Sequence, residues 1–174
     1  MVCWIGNIAK NGNEPVYLLR KSICRMGDDS MHKINEVRLI DFSEKGDARG
    51  RLVIIEGGKD IPFDIKRAFY IYGTDKDVVR GQHANRITEF VLINVAGTSK
   101  VKVKDGRGNE VIFCLNRPHT GIYLPAMVWK DMYDFSADSV LLVLASEHYN
   151  AKEYIREYDA FKREIELNDE NVPS

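Results

Sequence analysis

The densest run of residues able to do chemistry is Arg80-Gly81-Gln82-His83-Ala84-Asn85-Arg86, which leads directly into the apolar stretch EFVLINVAG. Side chains alternate along a strand, so His83 and Asn85 are expected to share one face while Gln82, Ala84 and Arg86 take the other. An imidazole titrates near neutral pH, so His83 can take a proton from carbon and return it, the chemistry of isomerisation beside a carbonyl. The same position also suits a structural histidine, hydrogen-bonded at a strand end. Upstream, Arg49, Arg51, Lys66 and Arg67 stand near strand starts or within strands. Guanidinium forks match phosphate oxygens in pairs, so arginines at the mouth of a barrel suit a diphosphate; surface salt bridges are their competing use. Arg49 beside Gly50 and Arg80 beside Gly81 are the better placed, because glycine lets the backbone turn and approach a ligand closely.

Positioning such groups requires a scaffold, and its class is legible. The 174 residues, 44% hydrophobic and 29% charged, suit one domain with a proper core. With 25 Lys and Arg against 26 Asp and Glu, the net charge of -1 offers no general attraction to nucleic acid or anionic membranes, so a bound anion needs a local cluster. The opening MVCWIGNIAKNG is not a basic segment followed by an apolar run, and no stretch approaches the ~18 apolar residues of a membrane span. Cys3, Cys24 and Cys114 are odd in number and lack CxxC spacing, which argues against a disulfide framework or a zinc knuckle. A cytoplasmic protein is expected.

Residues 1–34 form an extension of uncertain structure. From Asn35 the texture becomes short β-rich segments separated by Gly, Asp, Asn and Pro. SKVKVKDGRGNEVIFCL alternates on both sides of DGRGN and predicts a hairpin with one wet face, where the lysines lie. After Ser146 the period changes: Tyr154, Ile155, Tyr158, Phe161, Ile165 and Leu167 recur at helical spacing, predicting an amphipathic helix whose apolar stripe packs on the domain or on a partner subunit. A polar tail, 168–174, should fray. Many strands followed by one helix leave a sandwich or a jelly roll with a domain over 35–167, and a jelly roll holds its ligand where inward residues converge at its mouth. Trp129 and Tyr133 read as pocket wall or core, His119 as an exposed loop residue, and His32 and His148 carry no motif.

The RGQHANR segment resembles the first metal-binding motif of cupins, a HxH pair followed by Glu. His83 and Glu89 match, but Asn85 replaces the second histidine, and Trp129 and Lys130 stand where a later histidine would be. An amide oxygen is a weak ligand and an ammonium repels a divalent ion, so no metal is expected.

A more specific resemblance runs in order from about Val37 to Phe161. IEGGKDIPFDIKRAFYIYG, RGQHANR, GIYLPAMVWKDMYDFS and VLLVLASEHYNAKEYIREYDAF are similar to the cupin-type sugar-nucleotide 3,4-ketoisomerases. The resemblance implies an all-β, cupin-like jelly roll with a C-terminal amphipathic helix, no cofactor, and a homodimer with paired or exchanged N-terminal strands. It also implies a dTDP-linked 4-oxo-6-deoxyhexose as substrate, whose keto group moves between C4 and C3 through an enediol. In the family's RGxHAH segment the first histidine, here His83, is the proton-shuttling base, and the second is Asn85. Phe69 replaces a tyrosine of KRVYYIY, while Tyr70 and Tyr72 remain. Lys130 holds the place of the basic residue in WHEM or WREM. The implied catalytic set is His83, Asn85, Tyr70 and Lys130, with Arg49, Arg67, Tyr72, Arg80 and Arg86 binding substrate. The replacements at Phe69, Asn85 and Lys130 leave two alternatives: a cupin that binds sugar nucleotides without turnover, and an epimerase acting on a related nucleotide sugar.

Overall fold

The computed structural model describes residues 33–170. Cys3, Cys24, His32, nearly all of the expected N-terminal extension and most of the polar tail lie outside the described residues. A 3-10 turn, Lys33–Glu36, precedes twelve strands: β1 (Arg38–Asp41), β2 (Glu44–Asp47), β3 (Gly50–Val53), β4 (Arg67–Tyr72), β5 (Arg80–Asn85), β6 (Phe90–Ala96), β7 (Ser99–Lys104), β8 (Glu110–Leu115), β9 (Thr120–Leu124), β10 (Trp129–Tyr133), β11 (Val140–Ala145) and β12 (Tyr154–Ile155). One helix, α1 (Tyr158–Glu170), follows. Two five-stranded sheets, β1-β9-β6-β11-β4 and β12-β5-β10-β7-β8, face each other, and β2-β3 stands apart as a hairpin. This is the cupin-like β-sandwich with one C-terminal helix that the family resemblance implies. Among the described residues, no helix is long and apolar enough to cross a membrane.

Between the sheets, Phe90, Leu92, Leu141 and Val143 meet Val101, Val103, Phe113 and Met132. The alternate residues of β6, Val91 and Ile93, point the other way and are covered by Phe42, Ile61, Phe63 and Tyr123. Burial on both faces explains why this strand reads as a continuous apolar run. The outer face of the second sheet carries Ala84 and Trp129, and Ile155, Phe161 and Ile165 cover them. The predicted hairpin is β7-β8; Val101 and Val103 are buried. Its lysines do more than meet water: Lys100 pairs with Asp134 at 2.8 Å, and Lys102 and Lys104 approach Asp131 at 3.8 and 3.6 Å.

The helical reading of the C-terminal segment needs correction. Asn150 accepts a hydrogen bond from Lys152 N and caps a 3-10 turn, Ala151–Glu153. Tyr154 and Ile155 then pair with Asn85 and Ala84 of β5, and the helix begins only at Tyr158. Backbone pairing to an open sheet edge outweighs helical spacing here, because it satisfies the N–H and C=O groups that β5 would otherwise leave free. Phe161 and Ile165 keep the predicted apolar face, whereas Leu167 is exposed. The folded unit also reaches slightly past the expected limits of 35 and 167, since Ile34 is buried in the core and α1 runs to Glu170.

Register decides which residues of β4 look inward. Ile71, Phe69 and Arg67 lie opposite Leu141, Val143 and Ala145 of the inter-sheet core, and directly opposed residues share a face. Tyr70 lies opposite Leu142 and Tyr72 opposite Val140, on the other face.

Candidate active site

The site begins with an irregularity in β5. Lys130 pairs with His83 and Asp131 with Gly81, so Gln82 is an extra residue, a β-bulge. Gly81 (φ +84°) and Gln82 (φ +52°) supply the left-handed backbone it needs. A Cβ on Gly81 would lie 2.7 Å from the Lys130 carbonyl oxygen, so this closeness to β10 requires glycine. Gly81→Ala is expected to lower stability by about 1–3 kcal/mol. Thermal denaturation followed by circular dichroism checks this.

The bulge turns His83 back onto its own strand. Its Nδ1 lies 2.8 Å from the Gly81 carbonyl, which can only accept; Nδ1 therefore carries the hydrogen, and the Nε2 lone pair is left available. Burial, with the nearby Lys130 charge second, brings the imidazole down to about 4, so it is neutral at neutral pH. The Tyr154 ring packs on it at 4.9 Å.

Lys130 points inward like Val103, its partner on β7. Only 4% exposed, it donates from Nζ to Asn85 Oδ1 at 2.7 Å and lies 4.5 Å from the Phe90 ring. Among the described residues, no carboxylate stands within ion-pair distance. The Glu153 carboxylate is taken up by the Thr88 backbone N–H and hydroxyl. Burial brings the Lys130 ammonium down to about 7, with Glu153 opposing the shift and Arg67 adding to it.

Three buried N–H-bearing atoms in this region have no acceptor among the described residues: Asn85 Nδ2, and Arg67 Nε and Nη2. Arg67 rests near the rings of Phe69 (5.4 Å) and Tyr149 (5.7 Å), Tyr149 packs on Tyr154 (5.7 Å), and Tyr154 packs on His83. A wall thus runs from β4 through the loop after β11 and β12 to β5. Buried donors without partners are rare in folded proteins, and a cluster of them beside an ammonium marks a place for an oxygen-rich anion. The donors here are one imidazole, one carboxamide, one ammonium and one guanidinium, a poor set for a cation. Among the described residues, no three His, Cys, Asp or Glu groups converge on a metal position.

Of the residues singled out by sequence, His83, Asn85, Lys130 and Arg67 come together, and Phe69 shares their inward face. Tyr70 and Tyr72 do not join them; they lie on the opposite face of β4 and are 63% and 67% exposed. Arg49 sits at the tip of the β2-β3 hairpin, bound to Asp47 and open to solvent. Arg80 is exposed at the start of β5, opposite Met132. Arg86 ties the end of β5 to the helix through Glu164 (2.9 Å) and to the Lys152 carbonyl (2.8 Å). Sequence reasoning missed Tyr149, Tyr154 and Glu153 as parts of the site. Asn150, a residue type that caps helices, was the available signal that the chain breaks just before Tyr154.

The profile of the family described as FdtA, WxcM-like, C-terminal, matches residues 35–166. The TDP-4-oxo-6-deoxy-alpha-D-glucose-3,4-oxoisomerase of Aneurinibacillus thermoaerophilus is 44% identical over 130 residues, covering 75% of this chain and 93% of its own. Among solved structures, a histidine-to-asparagine variant of the 3,4-ketoisomerase QdtA from Thermoanaerobacterium thermosaccharolyticum, in complex with TDP-4-keto-6-deoxyglucose, superposes with a TM-score of 0.73 at 44% identity, covering 75% of this chain and 94% of that one. A 3,4-ketoisomerase from Helicobacter canadensis superposes with a TM-score of 0.72 at 43% identity, covering 75% and 98%.

Proposed function

The chain belongs to the FdtA family, and from that premise we propose that it is an isomerase moving the keto group between C4 and C3 of a dTDP-linked 4-oxo-6-deoxyhexose, without a metal, in deoxy- or aminosugar biosynthesis. The observation that carries this reading is a neutral imidazole, with its Nδ1 occupied, beside unpartnered N–H groups of Asn85 and Arg67.

His83 Nε2 removes the hydrogen on C3, and the C–H electron pair moves into the C3–C4 bond and displaces charge onto the C4 oxygen. Arg67 and Asn85 Nδ2 steady that oxyanion, with donors already in place and already stripped of water. The imidazolium then gives its proton to C4. Arg80, exposed at the rim, is free to meet the diphosphate. Arg86 acts at one remove by holding the end of β5. A binding protein without turnover, or an epimerase, would use the same cup. Incubation with dTDP-4-oxo-6-deoxyglucose in deuterium oxide separates the three: the expected result is a 3-oxo product carrying solvent deuterium at C4, read by NMR. Binding with neither conversion nor exchange would leave a carrier, and exchange with the keto group still at C4 an epimerase.

The exposed residues of β4 belong to a different part of this reading. Among the described residues β4 is the end strand of its sheet, and Tyr70 and Tyr72 are exposed on its outer face, with Leu52 exposed on β3. An open edge bearing large apolar groups is a surface that a second copy covers. A homodimer is expected, with light scattering giving about twice the 19.9 kDa of one chain; a monomer at micromolar concentration would count against it. Cysteines without a pairing pattern fit a reducing, cytoplasmic setting.

A further inference from the structure

The isomerisation moves two hydrogens, and His83 accounts for one of them. One proton must leave C3 and one must arrive at C4, and likewise one must leave the C3 oxygen and one must arrive at the C4 oxygen. We propose that Lys130 carries this second proton, exchanging between ammonium and amine during each turnover. This rests on the reading of the site as a 3,4-ketoisomerase.

Four observations place the task on Lys130. It lies directly opposite His83 across the β5-β10 pair, on the same inward face. Its side chain is buried, and its ammonium has a carboxamide oxygen at 2.7 Å where a structural lysine would have a carboxylate. The neighbouring Asn85 cannot titrate, so among the inward polar groups of the described β5 and β10 strands only His83 and Lys130 can pass a proton near neutral pH. Buried ammonium groups of this kind lose their charge readily, and the Lys130 value of about 7 agrees.

The steps balance. As His83 takes the C3 hydrogen, the Lys130 ammonium gives a proton to the C4 oxygen, leaving a neutral enediol, an imidazolium and an amine. The imidazolium then protonates C4 while the amine takes the hydroxyl proton from the C3 oxygen, and the C3 carbonyl forms. Both side chains return to their starting states with no external oxidant or reductant. Asn85 is a positioning residue for this step: its Oδ1 holds Nζ, and its Nδ2 is free for the sugar oxygens.

The charged and titratable groups that face Lys130 are His83 on β5, Arg67 on β4 and Glu153 in the turn before β12. The expected pH profile of kcat/KM therefore falls as pH rises through about 7, where Lys130 loses the proton it must deliver. The test compares Lys130→Arg, which keeps a charge but cannot titrate, with Lys130→His, which titrates, while dTDP binding verifies a folded cup. Lys130→Arg should lose about 100-fold or more in turnover, and Lys130→His should stay within about tenfold of the wild type. Lys130→Arg turning over as well as Lys130→His overturns the relay, because fixed charge would then suffice. Should both variants fail to fold, a wild-type kcat/KM that stays flat from about pH 6 to pH 9 overturns it equally. Wild-type protein with no turnover of dTDP-4-oxo-6-deoxyglucose removes the underlying function as well. Wild-type turnover with a fully active Lys130→Arg removes the relay alone.

Discussion

Replacing His83 by asparagine is expected to lower turnover of dTDP-4-oxo-6-deoxyglucose by about a thousandfold or more while leaving dTDP binding in place. General acid–base catalysis contributes roughly 10²- to 10⁴-fold, and the proposed mechanism assigns His83 both the abstraction from C3 and the return to C4. Among the described residues, no other side chain in the cup offers a lone pair held ready by a backbone carbonyl on its far nitrogen. Solvent deuterium entering the sugar, followed by NMR, reads the step directly; exchange at the wild-type rate in His83→Asn would remove His83 from the mechanism. The same geometry sets the acid side of the pH profile. Burial holds the imidazole near 4 in the folded protein, against 6.5 for the free group. The base therefore stays neutral down to about pH 4, and the acid limb of kcat/KM should lie there and not near 6.5. The folded state resists protonating His83, so its contribution to stability is complete above about 6.5 and is lost as pH falls from there towards 4.

Arg67→Met is expected to separate activity from stability. Loss of one preorganised donor to a developing oxyanion typically costs about 10²- to 10³-fold, and kcat/KM should fall by that amount. Removing the guanidinium also removes two buried nitrogens that have no acceptor in the ligand-free protein. A methionine of similar reach keeps contact with the Phe69 and Tyr149 rings without desolvating unpaired donors. The ligand-free variant should thus melt at or slightly above the wild-type temperature, and dTDP-sugar should stabilise it less. A variant that keeps full activity, or that loses activity only because it unfolds, would remove Arg67 from the cup's anion-binding role. In the proposed mechanism the unpaired donors become satisfied when substrate binds, which accounts for this imperfection in the wild-type protein.

Much of this was legible in one dimension because strand alternation is local. The spacing of two residues places His83 and Asn85 on one face whatever the rest of the chain does, and Ala84 on the other, where Phe161 and Ile165 now cover it. Alternation likewise marks β7 and β8, and the doubly buried β6 announces itself by its unbroken apolar run. The replacements at Phe69, Asn85 and Lys130 were equally plain. The partners of those residues were not. Whether Arg67 or Tyr70 looks into the cup is a matter of β4-β11 register, and a shift of one residue exchanges the two faces. The bulge at Gln82 exists because β5 must stay paired with β10 while turning His83. Tyr154 has helical spacing to Tyr158 and Phe161, yet it becomes part of the site because the open edge of β5 offers backbone hydrogen bonds that a helix would have forgone. The Lys130–Asn85 contact joins residues far apart in the chain, so only the closing of β10 onto β5 brings the ammonium to the amide. Residue type and period are properties of neighbours along the chain; convergence, burial and the proton affinities they set arise when distant strands meet.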